Sequence, residues 1–118
     1  GIAVGDAGGP LVVDSAPGLA AVLDDVAAGV AAPVISARFH RSVARAIVDG
    51  CLRAAPAAGT TTVALAGGVF MNRLVVAGAV RGLRQAGLTP LTHRRLPAND
   101  GGVAYGQAVV AWARRHEV

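Results

Sequence analysis

Two glycine pairs, Gly67-Gly68 and Gly101-Gly102, an asparagine at Asn72 and a solitary aspartate at Asp100 are the residues whose types and spacing bear on chemistry. Each pair stands between an extended-looking segment and a helix-like one. Glycine lets backbone approach a ligand closely, and a helix start offers unpaired N–H groups at the positive end of its dipole. Two such turns at one sheet edge suit a nucleotide or phosphate. A strand-to-helix turn also needs glycine for its own geometry, and the residues alone leave both readings open. Neither turn is a Walker loop, because no Gly-Lys-Ser/Thr follows, and Gly67-Gly68-Val69 does not fit G-x-G-x-x-G. Asp100 is the only acid between Asp49 and Glu117, which separates it from any charged helix face. Its carboxylate suits a divalent ion that bridges phosphates, but its place just ahead of a helix favours an N-cap.

His40, His93 and His116 lie too far apart for a local metal motif. His116 near a helix C-terminus reads as a dipole partner, His93 at a strand end as surface or site rim, and His40 after Phe39 as a buried, hydrogen-bonded helix residue rather than a catalytic one. No Ser/His/Asp set and no pair of neighbouring carboxylates can be assembled as a catalytic unit. The single cysteine, Cys51, excludes an internal disulfide, and its neighbours Val48 and Leu52 make it a core thiol on a helix.

The elements that must position these residues follow from periodicity. Ile2–Val4 and Leu11–Val13 read as a hairpin across Asp6-Ala7-Gly8-Gly9-Pro10. Ser15 is placed to cap a helix with Pro17 in its first turn, an apolar stripe Leu19, Val22, Leu23, Val26, and Gly29 as C-terminal cap. A second helix is expected over Ala37–Ala54. Phe39, Val43, Ile47 and Cys51 lie on one face, Asp49 and Arg53 form an i,i+4 pair, and Pro56 and Gly59 end it. Thr60–Ala66 reads as a strand buried on both faces, then a helix capped by Asn72 runs to about Ala86 on a line Val76, Val80, Leu83. Gly78 and Gly82, four apart, allow close packing of that helix. A strand over Leu88–His93 and a helix to about Arg115 complete a β-α-β-α order, which implies a parallel pair with a right-handed crossover. The class is therefore α/β: an N-terminal hairpin and two helices followed by β-α-β-α.

With 118 residues the chain fits one domain. Hydrophobic residues at 53% exclude disorder, and charged residues at only 15% are few for so small a domain, which is expected of a piece cut from a larger fold. All 11 basic residues are Arg, scattered from Arg38 to Arg115, and aromatics are 3%. A nucleic-acid binder clusters its charge and interleaves stacking rings, so the net charge of +4 does not point to nucleic acid. No apolar run approaches the ~18 residues of a membrane span. The opening Gly-Ile-Ala-Val lacks the pattern of a signal peptide, so a cytoplasmic protein is expected.

The stretch from Ala64 to Leu74, Ala-Leu-Ala-Gly-Gly-Val-Phe-Met-Asn-Arg-Leu, resembles a signature of HypF-type carbamoyltransferases of hydrogenase maturation. Thr92–Ala108, with Pro97-Ala98-Asn99-Asp100-Gly101-Gly102 at its centre, resembles their C-terminal signature, and Ala37–Arg41 their Phe-His helix. Met71 stands where that family usually has Gln. The resemblance implies the C-terminal subdomain of an actin/Hsp70/sugar-kinase-like fold, shared with the tRNA threonylcarbamoyl-adenosine proteins. It implies ATP and a divalent metal ion as cofactors, with Gly67, Gly68 and Asn72 facing the nucleotide and Asp100 as a metal ligand. The implied reaction converts carbamoyl phosphate and ATP to a carbamoyl adenylate. The carbamoyl group then passes to the C-terminal cysteine of a partner maturation protein. The family's His-x-x-x-His metal pair belongs upstream and is not in this sequence, so the residues 1–118 are expected to be one inactive fragment whose other partner is the remainder of the parent polypeptide. A related O-carbamoyl or tRNA threonylcarbamoyl transferase and a non-catalytic interaction module are the alternative functions.

Overall fold

The computed structural model describes residues 1–5 and 10–116. Strands β1 (Ala3–Gly5) and β2 (Val12–Asp14) pair antiparallel, with Val4 opposite Val13. The hairpin sits one residue later on each strand than the apolar runs indicate. Its expected turn, Pro10 apart, lies outside the described residues. Helix α1 (Ala16–Ala27) begins after Ser15, whose side chain makes no capping bond. Asp14 Oδ1 instead accepts from the Ala16 N–H at 2.9 Å. Gly29, at φ +70°, ends the helix as expected, and the Val30 N–H closes back on the Asp25 carbonyl at 2.9 Å.

Of the expected α1 stripe only Val22 is half-buried, in a hollow with Gly18, Ile35 and Phe39. Leu19, Leu23 and Val26 are 54%, 69% and 60% exposed. The face turned inward is the small one. Gly18 is buried, and a Cβ there would lie 3.0 Å from Ile2 Cγ1. Arg38 pairs with Asp25 at 2.6 Å, tying α1 to the next helix.

Helix α2 is longer than its prolines suggest, running Ala32–Ala58. Pro33 occupies the first turn, where its missing N–H costs nothing. Pro56 lies inside the last turn, and the helix ends only at Gly59, φ +61°. There Gly59 and Thr60 donate to the Pro56 and Ala55 carbonyls. Asp49 also pairs with Arg45, one turn before it, at 3.9 Å. The packed face carries Ala44, Ile47, Val48, Cys51 and Ala55, so of the expected line Ile47 and Cys51 belong to it.

β3 (Thr62–Leu65) and β4 (Thr89–Thr92) pair in parallel, Thr62 opposite Thr89 and Leu65 opposite Thr92, with α3 (Arg73–Gln85) as the crossover. Leu65, Ala79, Leu83 and Leu88 form the core cluster, and Ala79 and Leu83 have no exposed surface. The buried line on α3 is Val75, Ala79, Leu83, not Val76, Val80, Leu83. The reason is Gly78 and Gly82. A Cβ on either would stand 2.8 Å from Ala44 Cβ or 2.7 Å from Val48 Cγ2, so α3 lies tight on α2 and its contact face is turned toward the glycines. β3 is covered on one face only: Val63 and Leu65 point to the helices while Thr62 and Ala64 are exposed.

The last helix, α4 (Val103–His116), has no buried residue and leaves Val109, Val110 and Trp112 largely exposed. The total accessible surface is 8307 Å², against about 5,900 Å² for a compact monomer of this mass. The radius of gyration is 17.1 Å, where about 13–14 Å would be compact. No helix among the described residues is long and apolar enough to cross a membrane.

Candidate nucleotide site

The carboxyl ends of β3 and β4 emerge side by side, and each leads through a short 3₁₀ turn into a helix: Gly68–Met71 ahead of α3, and Asp100–Gly102 ahead of α4. A hydrogen bond from the Gly67 N–H to the Ala98 carbonyl, 2.7 Å, ties the two turns together. Gly67, Gly68, Asn72 and Asp100 are thereby gathered at one sheet edge, the usual ligand edge of a parallel sheet.

The two glycine pairs serve different ends. Gly67 has φ +108° and ψ 161°, a region essentially closed to other residues. A Cβ on Gly67 or Gly68 would meet nothing within 4 Å, so open space lies above this turn. At the second turn a Cβ on Gly102 would stand 2.9 Å from the Pro97 carbonyl oxygen. One on Gly101 would stand 3.2 Å from both Asn99 Oδ1 and Pro97 Cγ. That pair is required by the packing of its own loop.

Asn72 caps α3, its Oδ1 accepting from the Leu74 and Val75 N–H groups at 3.0 and 3.3 Å. Two donors of the helix start are thus taken by the protein itself. Its Nδ2 lies 2.9 Å from His40 Nε2 on α2, and His40 Nδ1 lies 2.7 Å from the Ser36 carbonyl. His40 therefore has the hydrogen-bonded role the sequence suggested but is only half-buried, and its partner 32 residues away is one that no local pattern could identify.

At the second turn the N-cap is Asn99, not Asp100: Asn99 Oδ1 accepts from the Gly101 N–H at 3.1 Å. The choice between cap and ligand for Asp100 changes accordingly, since the cap position is filled by its neighbour. Asp100 is exposed at the first residue of the 3₁₀ turn. Asn99 is as good a capping residue type, and its position before Asp100 was the available signal.

Among the described residues no group of three or more His, Cys, Asp or Glu side chains is drawn together. Asp100 fits one oxygen-ligand position of a hard divalent ion, which takes six or more. His93 is exposed beside a small hollow of about 180 Å³ between the turns, walled by Leu65, Phe70, Met71 and Pro97. That is less than the ~300 Å³ at which ligand pockets begin, so a nucleotide here would lie on the open edge. A larger hollow of about 590 Å³ lies between α2 and α3, lined by Arg41, Arg45 and Arg81, and takes in none of Gly67, Gly68, Asn72 or Asp100. His116 Nδ1 reaches the Trp112 carbonyl at 2.7 Å in the last turn of α4. Cys51 is half-buried against the core, and desolvation raises its thiol above the ordinary range.

Residues 2–107 match the family model described as the second subdomain of the Kae1-like domain of carbamoyltransferases. The chain is 48% identical over 73 residues to carbamoyltransferase HypF of Rhizobium leguminosarum bv. viciae, covering 62% of this chain and 10% of that one. It is 43% identical over 93 residues to a carbamoyltransferase HypF homolog of Cupriavidus necator, covering 79% and 23%. A crystal structure of full-length HypF in the phosphate- and nucleotide-bound form superposes with a TM-score of 0.85 at 29% identity, over 94% of this chain and 15% of that one. The chain spans about a tenth to a quarter of these curated relatives. From its glycine turns to its helix order, the chain belongs to the HypF carbamoyltransferase family, within the second subdomain of the Kae1-like domain.

Proposed function

We propose that this chain supplies the nucleotide-facing edge of a carbamoyltransferase whose remaining parts lie outside it. The observation that carries the reading is the 2.7 Å bond from Gly67 to Ala98, which joins two strand-to-helix turns at the carboxyl edge of a parallel pair. Open space above Gly67 and Gly68 fits close approach of a phosphate or sugar to backbone. Gly67, Gly68 and Asn72 would face ATP, and Asp100 would give one carboxylate to a divalent ion, which when bound would neutralise phosphate charge. The parent reaction would take carbamoyl phosphate and ATP to a carbamoyl adenylate, and pass the carbamoyl group to the C-terminal cysteine of a hydrogenase-maturation partner. In that setting the chain would form part of a lobe of the actin/Hsp70/sugar-kinase-like fold in a cytoplasmic enzyme. The excess accessible surface, and the exposed faces of α1, β3 and α4, support the remainder of the parent polypeptide as the immediate partner.

The test is Asp100→Asn and Asp100→Ala in the polypeptide carrying the complete transferase, with Asn99→Ala as control. The Asp100 variants should lose metal-dependent transfer while melting within a degree or two of wild type, because the cap at Asn99 is untouched. Asn99→Ala should cost about 1 kcal/mol of stability. Normal metal content and transfer rate in both Asp100 variants would remove Asp100 from the site.

A further inference from the structure

We infer that His40 is a positioning residue for Asn72. The ring is held as the neutral Nδ1–H tautomer, so that Asn72 presents one amide N–H to the ligand. The argument is a count of donors and acceptors. The Ser36 carbonyl, 2.7 Å from His40 Nδ1, only accepts, so Nδ1 carries a proton; the Ser36 hydroxyl at 3.4 Å is a longer, secondary neighbour. Asn72 Oδ1 faces the Leu74 and Val75 N–H groups, which only donate, so the amide NH₂ must face His40. His40 Nε2 therefore accepts and is unprotonated. Turning the amide over would set donor against donor at the helix start and acceptor against acceptor at His40. With Oδ1 occupied twice and one Nδ2 hydrogen given to His40, a single N–H is left. The ligand atom it meets must be an acceptor, such as a phosphate, ribose or ring-nitrogen lone pair. This deepens the proposed nucleotide role of Asn72 and rests on it, whereas the tautomer stands on the hydrogen bonds alone.

Two measurements separate those levels. Long-range ¹H–¹⁵N spectra of the 118-residue chain at neutral pH should show the His40 ring as Nδ1–H, beside His116, whose Nδ1 also meets a carbonyl, and the His40 signal should vanish in His40→Gln. An Nε2–H tautomer or an imidazolium for His40 overturns the inference. In the polypeptide carrying the complete transferase, ATP affinity is measured calorimetrically for Asn72→Ser, His40→Ala and His40→Gln. Ser keeps a capping oxygen without the amide, and the Gln carbonyl replaces the Nε2 acceptor. Asn72→Ser and His40→Ala should each weaken ATP by about tenfold, the double variant by little more, and His40→Gln should recover most of the loss. Weak binding in Asn72→Ser with normal binding in His40→Ala overturns the positioning role. Normal binding in Asn72→Ser refutes the nucleotide role of Asn72, and the inferred donor with it, even where the tautomer is as expected. Should His40→Ala fail to fold, His40→Gln decides: tight binding supports the role, and binding as weak as Asn72→Ser overturns it.

Discussion

Replacing Gly78 by alanine discriminates sharply between two opposing forces. In an uncrowded helix interior, Gly→Ala gains about 1 kcal/mol from backbone entropy and propensity. Here the new methyl carbon would lie 2.8 Å from Ala44 Cβ, where carbon pairs are content at about 3.5–4.0 Å. Neither methyl has a rotatable bond that moves it away, so relief requires α2 and α3 to part by roughly 1 Å, and such a gap forfeits a quarter to a half of each contact's attraction. Ala79 and Leu83, both fully buried on that face of α3, would bear the loss. Overpacking of this kind costs about 1–3 kcal/mol, which leaves Gly78→Ala between neutral and destabilised by roughly 2 kcal/mol once the propensity gain of about 1 kcal/mol is subtracted. Urea unfolding of the chain followed by far-ultraviolet circular dichroism measures it, and a thermal midpoint lowered by up to roughly 8 °C is equivalent. Ala44→Gly moves the space to the other helix. The double variant Ala44→Gly/Gly78→Ala should therefore be more stable than the sum of the singles by about 1–3 kcal/mol. A Gly78→Ala chain stabilised by about 1 kcal/mol would refute the close helix approach, because propensity would then be acting unopposed.

Two further outcomes follow from the site and the core. Gly67→Ala should destabilise by about 1–3 kcal/mol because φ +108° is closed to alanine, whereas Gly68→Ala should leave the melting temperature nearly unchanged, since its Cβ meets nothing within 4 Å. Reduced ATP affinity in Gly68→Ala of the complete transferase would then report ligand approach, and unchanged affinity would place the ligand elsewhere. Cys51 should alkylate more slowly than a free thiol near pH 8 and speed up on unfolding, because desolvation raises its pKa above the ordinary thiol range. Folding disfavours the thiolate, so the stability it contributes is complete below the unfolded pKa and falls as pH rises through the folded one. A Cys51→Ser chain losing stability just as steeply above pH 9 would show that another group is responsible.

Local chemistry made much of the fold legible. Glycines at 29, 59 and 87 end helices with positive φ, each at a place where the apolar period stops. The β-α-β order gave the parallel pairing of Thr62–Leu65 with Thr89–Thr92. What failed was the assignment of faces. Leu19, Leu23 and Val26 do form a stripe, but a stripe says only that something covers it, and α1 turns Gly18 toward Ile2 instead. The continuously apolar Val63-Ala64-Leu65 points to a strand buried on both faces, yet Ala64 is bare here. Pro56 looked like a stop, but near a helix end one missing donor is tolerable when Gly59 and Thr60 close the turn. At the candidate site the glycine pairs and Asn72 were visible as turn and cap residues. Asn99 was passed over in favour of its charged neighbour. The His40 link was invisible because it depends on how closely two helices pack.

That packing connects the core to the site. Gly78 and Gly82 lack the side chains that would hold α3 away from Ala44 and Val48. His40 lies one turn before Ala44 on α2, and Asn72 stands at the head of α3, just before the same face begins. A hydrogen bond of 2.9 Å between them tolerates little change in the distance between the helices. Moving α3 out by 1 Å would break it, freeing the Asn72 amide at the point where the Gly67–Gly68 turn enters the helix. The small residues of the α2–α3 contact thus do more than stabilise a core. They set the reach of an imidazole, the imidazole fixes an amide, and the amide fixes the start of the helix behind the glycine turn. Substitutions that widen the α2–α3 contact should therefore disturb the carboxyl edge even though none of those residues lies on it.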